Sequence, residues 1–253
     1  ILLAAIIFRA VGIEFRSKVH HDRWRILWDW VFSISSFVMA LLFGVVLGNL
    51  IDGVKIDVNG DYLGTFWDFI TPYSVLIGLL SVALFIMHGS IYLIMKTEGK
   101  LHDQVRRWVN PTILVFIILY ALTTVYTIMY KPQILGNLYD RPWLFLVAVI
   151  ALLAIVNIPR EIKRGKDGFA FLSSLITITA LFTIFGIGTF PVLLRSSVDP
   201  AFNITIYNAA ATSLTYKVLA IITGIGIPLI LAYGWWIYRT FRGKVVLDEK
   251  TGY

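Results

Sequence analysis

ILLAAIIFRAVGIEFRSKVHHDRWRILWDWVFSISSFVMALLFGVVLGNL (1–50) places two apolar runs on either side of one short basic segment, RSKVHHDRWR at 16–25. The pattern repeats along the chain. Apolar stretches at 1–15, 26–50, 70–95, 109–130, 142–158, 169–194 and 216–240 alternate with short polar connections. A bilayer core needs about 20 apolar residues in helical form. Helices are required because lipid cannot satisfy free backbone N–H and C=O groups. A membrane barrel would instead show short alternating strands. The sequence therefore predicts an all-α, polytopic transmembrane helical bundle. It has six full spans plus one partial N-terminal span, in a single integral membrane domain over 1–253. The chain is apolar from Ile1 onward, so 1–15 reads as the second half of a span, with further helices expected before it.

Every second connection is basic. Segments 16–25, 96–107, 160–166 and 239–250 hold sixteen of the 22 Lys and Arg. The intervening segments hold Lys55, Lys131, Arg141 and Arg195. By the positive-inside rule the basic ends, the C-terminus included, lie in the cytoplasm. Composition agrees: 58% of residues are hydrophobic and 15% charged, against about 25% charged in a soluble domain. Mean hydropathy is +0.80. The net charge of +7 follows from the basic loops and calls for no nucleic-acid partner. The absence of cysteine excludes disulfides, thiolate nucleophiles and Cys-ligated metal. The loop 51–69 is acidic, with Asp52, Asp57, Asp61 and Asp68, and 195–215 is polar, either exposed or dipping into the protein.

Gly44 and Gly48 have the G-x-x-x-G spacing that lets membrane helices approach closely. Trp24, Trp28, Trp30, Trp67, Tyr73, Trp108, Trp143, Trp235 and Trp236 fall at span ends. They read as interfacial belts; stacking on a quinone or haem ring is the sharper alternative.

Charged groups inside spans need a reason, since a central charge costs about 2.5–3.5 kcal/mol on the gentler insertion scale. Arg9 lies seven residues before Arg16, about 10 Å inside the boundary, and Asp29 four residues past Arg25, about 6 Å inside. An ion pair of Arg9 with Asp29 is expected, either pinning two helices or standing beside a proton path or cofactor. Glu14 sits nearer the interface. His88 is the lone histidine inside a span and reads as hydrogen-bonded between helices; one such histidine cannot supply both axial ligands of a bis-His haem. Met39, Met87, Met95 and Met129 are the conceivable second ligands. No Walker loop, nucleophile elbow or H-E-x-x-H occurs, so the chain alone carries no self-sufficient active site.

FRAVGIEFRSK (8–18), followed by W-x-x-x-W-D-W (24–30), resembles subunit II of the cytochrome bd-type quinol oxidases. GN at 48–49, PYSVLIGL at 72–79, HGSIYLIMKT at 88–97 and WWIYRTFRGKV at 235–245 continue the likeness in order. Members of that family carry a longer front end, which includes a W-D-G motif linked to proton uptake. The resemblance implies a respiratory terminal oxidase of the prokaryotic cytoplasmic membrane that takes electrons from quinol and reduces dioxygen to water. In that family two b-type haems and one d-type haem are held by subunit I, so the resemblance implies none on this chain. Subunit II is built from two four-helix bundles and a peripheral helix; some members bind a structural quinone or a small accessory subunit. By motif position Arg9 and Asp29 match charged residues of functional weight, with Glu14 and His88 as further polar candidates. A secondary transporter would need matched Gly/Pro-broken helices in two halves. Pro228 with Gly224 and Gly226 breaks one span without a counterpart. A non-redox scaffold or assembly protein would share the composition.

Overall fold

The computed structural model describes residues 1–243; the basic positions Lys244 and Lys250 and the end of the 235–245 motif lie outside them. Eight α-helices follow in order: α1 (Leu2–Arg16), α2 (Asp22–Asp52), α3 (Pro72–Lys96), α4 (Gly99–Tyr130), the short α5 (Gly136–Asp140), α6 (Phe145–Lys163), α7 (Asp167–Thr189) and α8 (Ser213–Thr240). Among the described residues six helices are long and apolar enough to cross a membrane: α2, α3, α4, the Pro142–Lys163 segment that contains α6, α7 and α8. With the shorter α1 this is the expected mostly helical membrane architecture.

Local chemistry sets the boundaries. Before α3, Thr71 Oγ1 accepts from the Ser74 amide at 3.0 Å, Ser74 Oγ accepts from the Thr71 amide at 2.9 Å, and Pro72 opens the first turn. α2 ends at Gly53, whose φ of +96° suits glycine. α4 starts at Gly99, ten residues before the apolar stretch at 109. Lys100, Gln104, Arg106 and Arg107 are good helix formers, so the helix runs past the apolar part, where hydropathy gives no signal.

α3, α4, α6 and α7 form a four-helix bundle. Its core comprises Met87, Ile91 and Ile94 from α3, Val109, Ile113 and Phe116 from α4, Ile155, Ile158 and Ile162 from α6, and Ala170 from α7. α2 packs on α3 through the two glycines. A Cβ on Gly44 would stand 2.6 Å from the Gly78 Cα, and one on Gly48 2.5 Å from the Ser74 Cα. The backbones meet because neither residue has a side chain, as the spacing predicts. α1 lies against α2, and α8 buries none of its residues among those described.

The polar segment after α7 holds one 3-10 turn, Pro200–Phe202, and a small ribbon. β1 (Val192–Leu194) pairs antiparallel with β2 (Ile204–Thr205). This ribbon is stitched to the loop after α2: the Val54 amide donates to Arg195 O at 2.8 Å and the Ser197 amide to Val54 O at 3.0 Å. In that loop Asp68 accepts from Lys55 Nζ at 2.7 Å and from the Thr65 amide at 2.6 Å. Those contacts, the Lys55 ammonium foremost, hold the Asp68 carboxyl down at about 2.

Candidate functional site

The turn 17–21 folds α1 back along α2 at the basic end. Trp24 Nε1 donates to Phe15 O at 2.7 Å, and Trp28 packs against Phe15 and Trp24 at ring-centroid distances of 5.2 and 5.6 Å. This aromatic clasp fixes the register of the two antiparallel helices. The register decides which charges meet. Arg16 Nε donates to Asp29 Oδ1 at 2.6 Å and Arg16 Nη2 to Oδ2 at 3.4 Å, a two-pronged ion pair with both side chains about half exposed.

The expected Arg9–Asp29 pair is therefore corrected. Arg9 lies seven residues, about 10 Å, further along α1 than the arginine that faces Asp29. Its guanidinium rests over the Phe32 ring, 5.5 Å from the centroid. Glu14 is exposed and does not join the pair; its backbone carbonyl accepts from Ser17 Oγ at 3.1 Å. Depth below the interface is readable from each helix alone, but pairing depends on the offset between helices, which a sequence does not print. The indole N–H of Trp28 is buried and has no partner among the described residues.

His88 lies apart from this cluster, in the four-helix bundle. Its Nδ1 is bonded to Ser174 Oγ on α7 at 2.8 Å, and its ring stacks on Phe171 at 5.0 Å. This is the expected histidine between helices. Met95 lies seven residues, about 10 Å, from His88 along α3, and Met129 about fifteen residues, about 22 Å, beyond the level of His88 on α4, where Thr112 meets Ser90. Met87 is fully buried in the core, and Met39 belongs to α2 whereas His88 turns to α7. Among the described residues no group of three or more His, Asp or Glu stands together as a metal site.

Sequence reasoning missed several charged contacts. At the end opposite the basic loops, the buried Asp52 is paired with Lys131 and accepts from Thr71 Oγ1 at 2.5 Å. Beside it Tyr73, expected in the interfacial belt, is buried instead: its hydroxyl is bonded to Thr127 at 2.9 Å and its ring stacks on Tyr126. A phenol at a helix start serves either role, and the glycine-mediated approach of α2 chooses the buried one. Trp67, Trp108 and Trp143 are exposed, as belt residues are. At the basic end Arg106 bridges to Asp167 at 3.1 Å and donates to Ile162 O at 3.0 Å, tying α4 to α6 and α7. Oppositely charged residues at the same membrane end were the available signal for both pairs.

These features define a multi-pass helical membrane protein whose ion pairs lie toward helix ends, with Arg9 deeper on α1 and neutral polar pairs inside the four-helix bundle. The chain belongs to the cytochrome bd terminal oxidase subunit II family, whose sequence profile matches residues 1–241. The family forms part of a haem-containing quinol oxidase complex, an oxidoreductase with a subunit I partner. The chain is 29% identical over 280 aligned positions to the cytochrome bd-I ubiquinol oxidase subunit 2 of Escherichia coli K12, covering 98% of this chain and 74% of that one. It is 28% identical over 257 positions to the cytochrome bd ubiquinol oxidase subunit 2 of Bacillus subtilis, covering 100% and 74%. The bd oxidase structure from Geobacillus thermodenitrificans shares the fold, with a TM-score of 0.74 at 21% identity over 95% of this chain and 71% of that one.

Proposed function

We propose that this chain is the non-haem-ligating subunit of its oxidase. It packs beside subunit I, which holds the two b haems and the d haem, and serves proton uptake from the cytoplasm as dioxygen is reduced to water. The basic end, with the C-terminus, is cytoplasmic on this reading, because Lys and Arg concentrate there. The quinol is oxidised by subunit I, and an accessory subunit or structural quinone would sit against the assembled pair.

The observation that carries the proton role is the two-pronged Arg16–Asp29 ion pair at the α1–α2 turn, with Arg9 deeper over Phe32. A carboxylate about 6 Å inside the basic boundary, half exposed and held by one guanidinium, is placed to order water and pass protons inward. Arg9 provides a second positive charge on the same route, and Glu14 lies at its mouth.

The test is quinol oxidase turnover per intact haem complex. Asp29→Asn and Arg16→Gln should both lower turnover, and the double change should cost less than the two losses combined. Arg9→Gln should add to Asp29→Asn without coupling. Wild-type turnover in both singles would remove the proton role; coupling of Asp29 to Arg9 and not to Arg16 would remove the pairing. For the orientation, a cysteine at Gly60 should react with an impermeant thiol reagent from outside intact cells and one at Gly165 should not.

A further inference from the structure

At the basic end, the charged extension of α4 carries an open groove of about 880 Å³, lined by Lys100, Asp103, Gln104, Arg106, Arg107 and Asn110. Arg106 is already engaged by Asp167 and by Ile162 O. The side chains of Asp103, Gln104, Arg107 and Asn110 are exposed and form no hydrogen bond or ion pair among the described residues. Pro111 lies inside the helix and has no N–H, so the Arg107 carbonyl one turn earlier lacks its α-helical donor. The groove therefore offers cations together with acceptors: a carboxylate, two amide oxygens and a backbone carbonyl.

The groove runs on into an apolar stripe. From Arg107 and Pro111, Leu114, Ile118, Leu122 and Val125 follow at three- and four-residue intervals, and these four are exposed. The opposite face of α4 sends Val109, Ile113 and Phe116 into the four-helix core, so the stripe looks away from the bundle. Trp108 is exposed beside the join, where an interfacial tryptophan belongs. One side of one helix thus presents about 15 Å of polar lining, from Lys100 to Asn110, and then about 16 Å of apolar surface, from Leu114 to Val125.

We propose that this face of α4 holds an anionic glycerophospholipid, and that phosphatidylglycerol is the species its lining fits. The phosphate oxygens accept from Arg107 and Lys100. The glycerol hydroxyls of the headgroup donate to Asp103 and to the amide oxygens of Gln104 and Asn110. An acyl chain lies along Leu114, Ile118 and Val125. With Arg106 offset by Asp167, Lys100 and Arg107 bring two positive charges against one negative charge from Asp103. That excess matches a headgroup with one negative charge better than the zwitterion of phosphatidylethanolamine. The competing account is a solvated basic face that attracts anionic lipid by net charge alone, in which every cation at this end counts alike.

The test is a phosphatidylglycerol with a diazirine near the top of one acyl chain, photolysed on the intact oxidase in lipid nanodiscs and mapped by peptide mass spectrometry. Label should fall on α4 between Trp108 and Ile118. The phosphatidylethanolamine analogue, with the same chains at the same mole fraction, should label that segment severalfold less. Arg107→Gln should lower the label about tenfold, the size expected for a lost hydrogen bond between charged groups, and Asn110→Ala should lower it severalfold. Lys163→Gln removes an exposed cation from the same end and should leave the label unchanged. Equal labelling by the two lipids, or equal losses in Arg107→Gln and Lys163→Gln, would overturn the inference. So would an unlabelled α4, the result expected if another subunit covers this face. Inorganic phosphate at matched ionic strength should not displace the label; displacement would assign the groove to a soluble phosphate and overturn the lipid site.

Discussion

Replacing Lys131 with Met should destabilise the protein far more than a typical lost ion pair. Asp52 is 7% and Lys131 22% exposed, and the carboxylate's other oxygen is held by Thr71. Removing the ammonium leaves a buried carboxylate with one hydroxyl for company. Breaking a buried pair from one side costs about 3–5 kcal/mol. Partial exposure of Lys131 moves the expectation to the lower end, about 3 kcal/mol. At roughly 2–4 °C per kcal/mol for a chain of this size, the transition should fall by about 6–12 °C. Arg16→Gln is the control. Its pair is half exposed, so the loss should be about 0–1 kcal/mol, within about 4 °C. The assay is thermal unfolding of the purified complex in one detergent, followed by loss of monodisperse assembly. Asp52→Asn combined with Lys131→Met should recover part of the loss, because it leaves no unpaired charge. A Lys131→Met shift no larger than that of Arg16→Gln, or a double variant as damaged as the two singles added, would refute the reasoning.

The remaining predictions concern packing and pH. Gly48→Val should lower the amount of intact complex in membranes, by about 1–3 kcal/mol of overpacking, because its Cβ would enter the Ser74 backbone. Gly226→Ala on α8, with open space around it, should be tolerated, and equal loss in both would refute α2–α3 contact as the cause. The loop clasp at Asp68 has a carboxyl pulled from the ordinary value to about 2. A carboxyl depressed on folding stabilises above its unfolded value, about 3.9, and that contribution disappears as pH falls through the folded value. Protection of the Thr65 amide from hydrogen exchange, corrected for intrinsic rates, should therefore persist at pH 4 and vanish near pH 2. Loss already complete at pH 4 would contradict it.

The spans were legible because bilayer thickness imposes a length of apolar residues that no loop imitates. A close helix approach at Gly44 and Gly48 was legible because the two fall on one helical face, but α3 as the partner was not. The charged extension of α4 from Gly99 was not, since helix formation there rests on Lys, Gln and Arg propensity, which leaves no hydropathy trace. The partner of Asp29 was also hidden. Arg9 and Arg16 both precede it at plausible distances, and the Trp24–Phe15 clasp, a tertiary contact, decides between them. The β1–β2 ribbon escaped for want of length: two- and three-residue strands carry no alternation to read. The histidine was recognised as interhelical, but Ser174 could not be named, because its neighbour Ser173 offers the same hydroxyl one residue away and turns to Asn157 instead.

On the proposed function this chain takes part in a haem oxidase while subunit I holds the haem. Haem absorption per polypeptide tests it most directly, measured on the affinity-tagged chain purified with and without its subunit I. With the partner present, the preparation should show b- and d-type haem bands, and His88→Gln should leave every band in place. Without the partner, the chain should show no haem band. A b-type band on the chain alone, or its selective disappearance in His88→Gln with both subunits still assembled, would contradict the account.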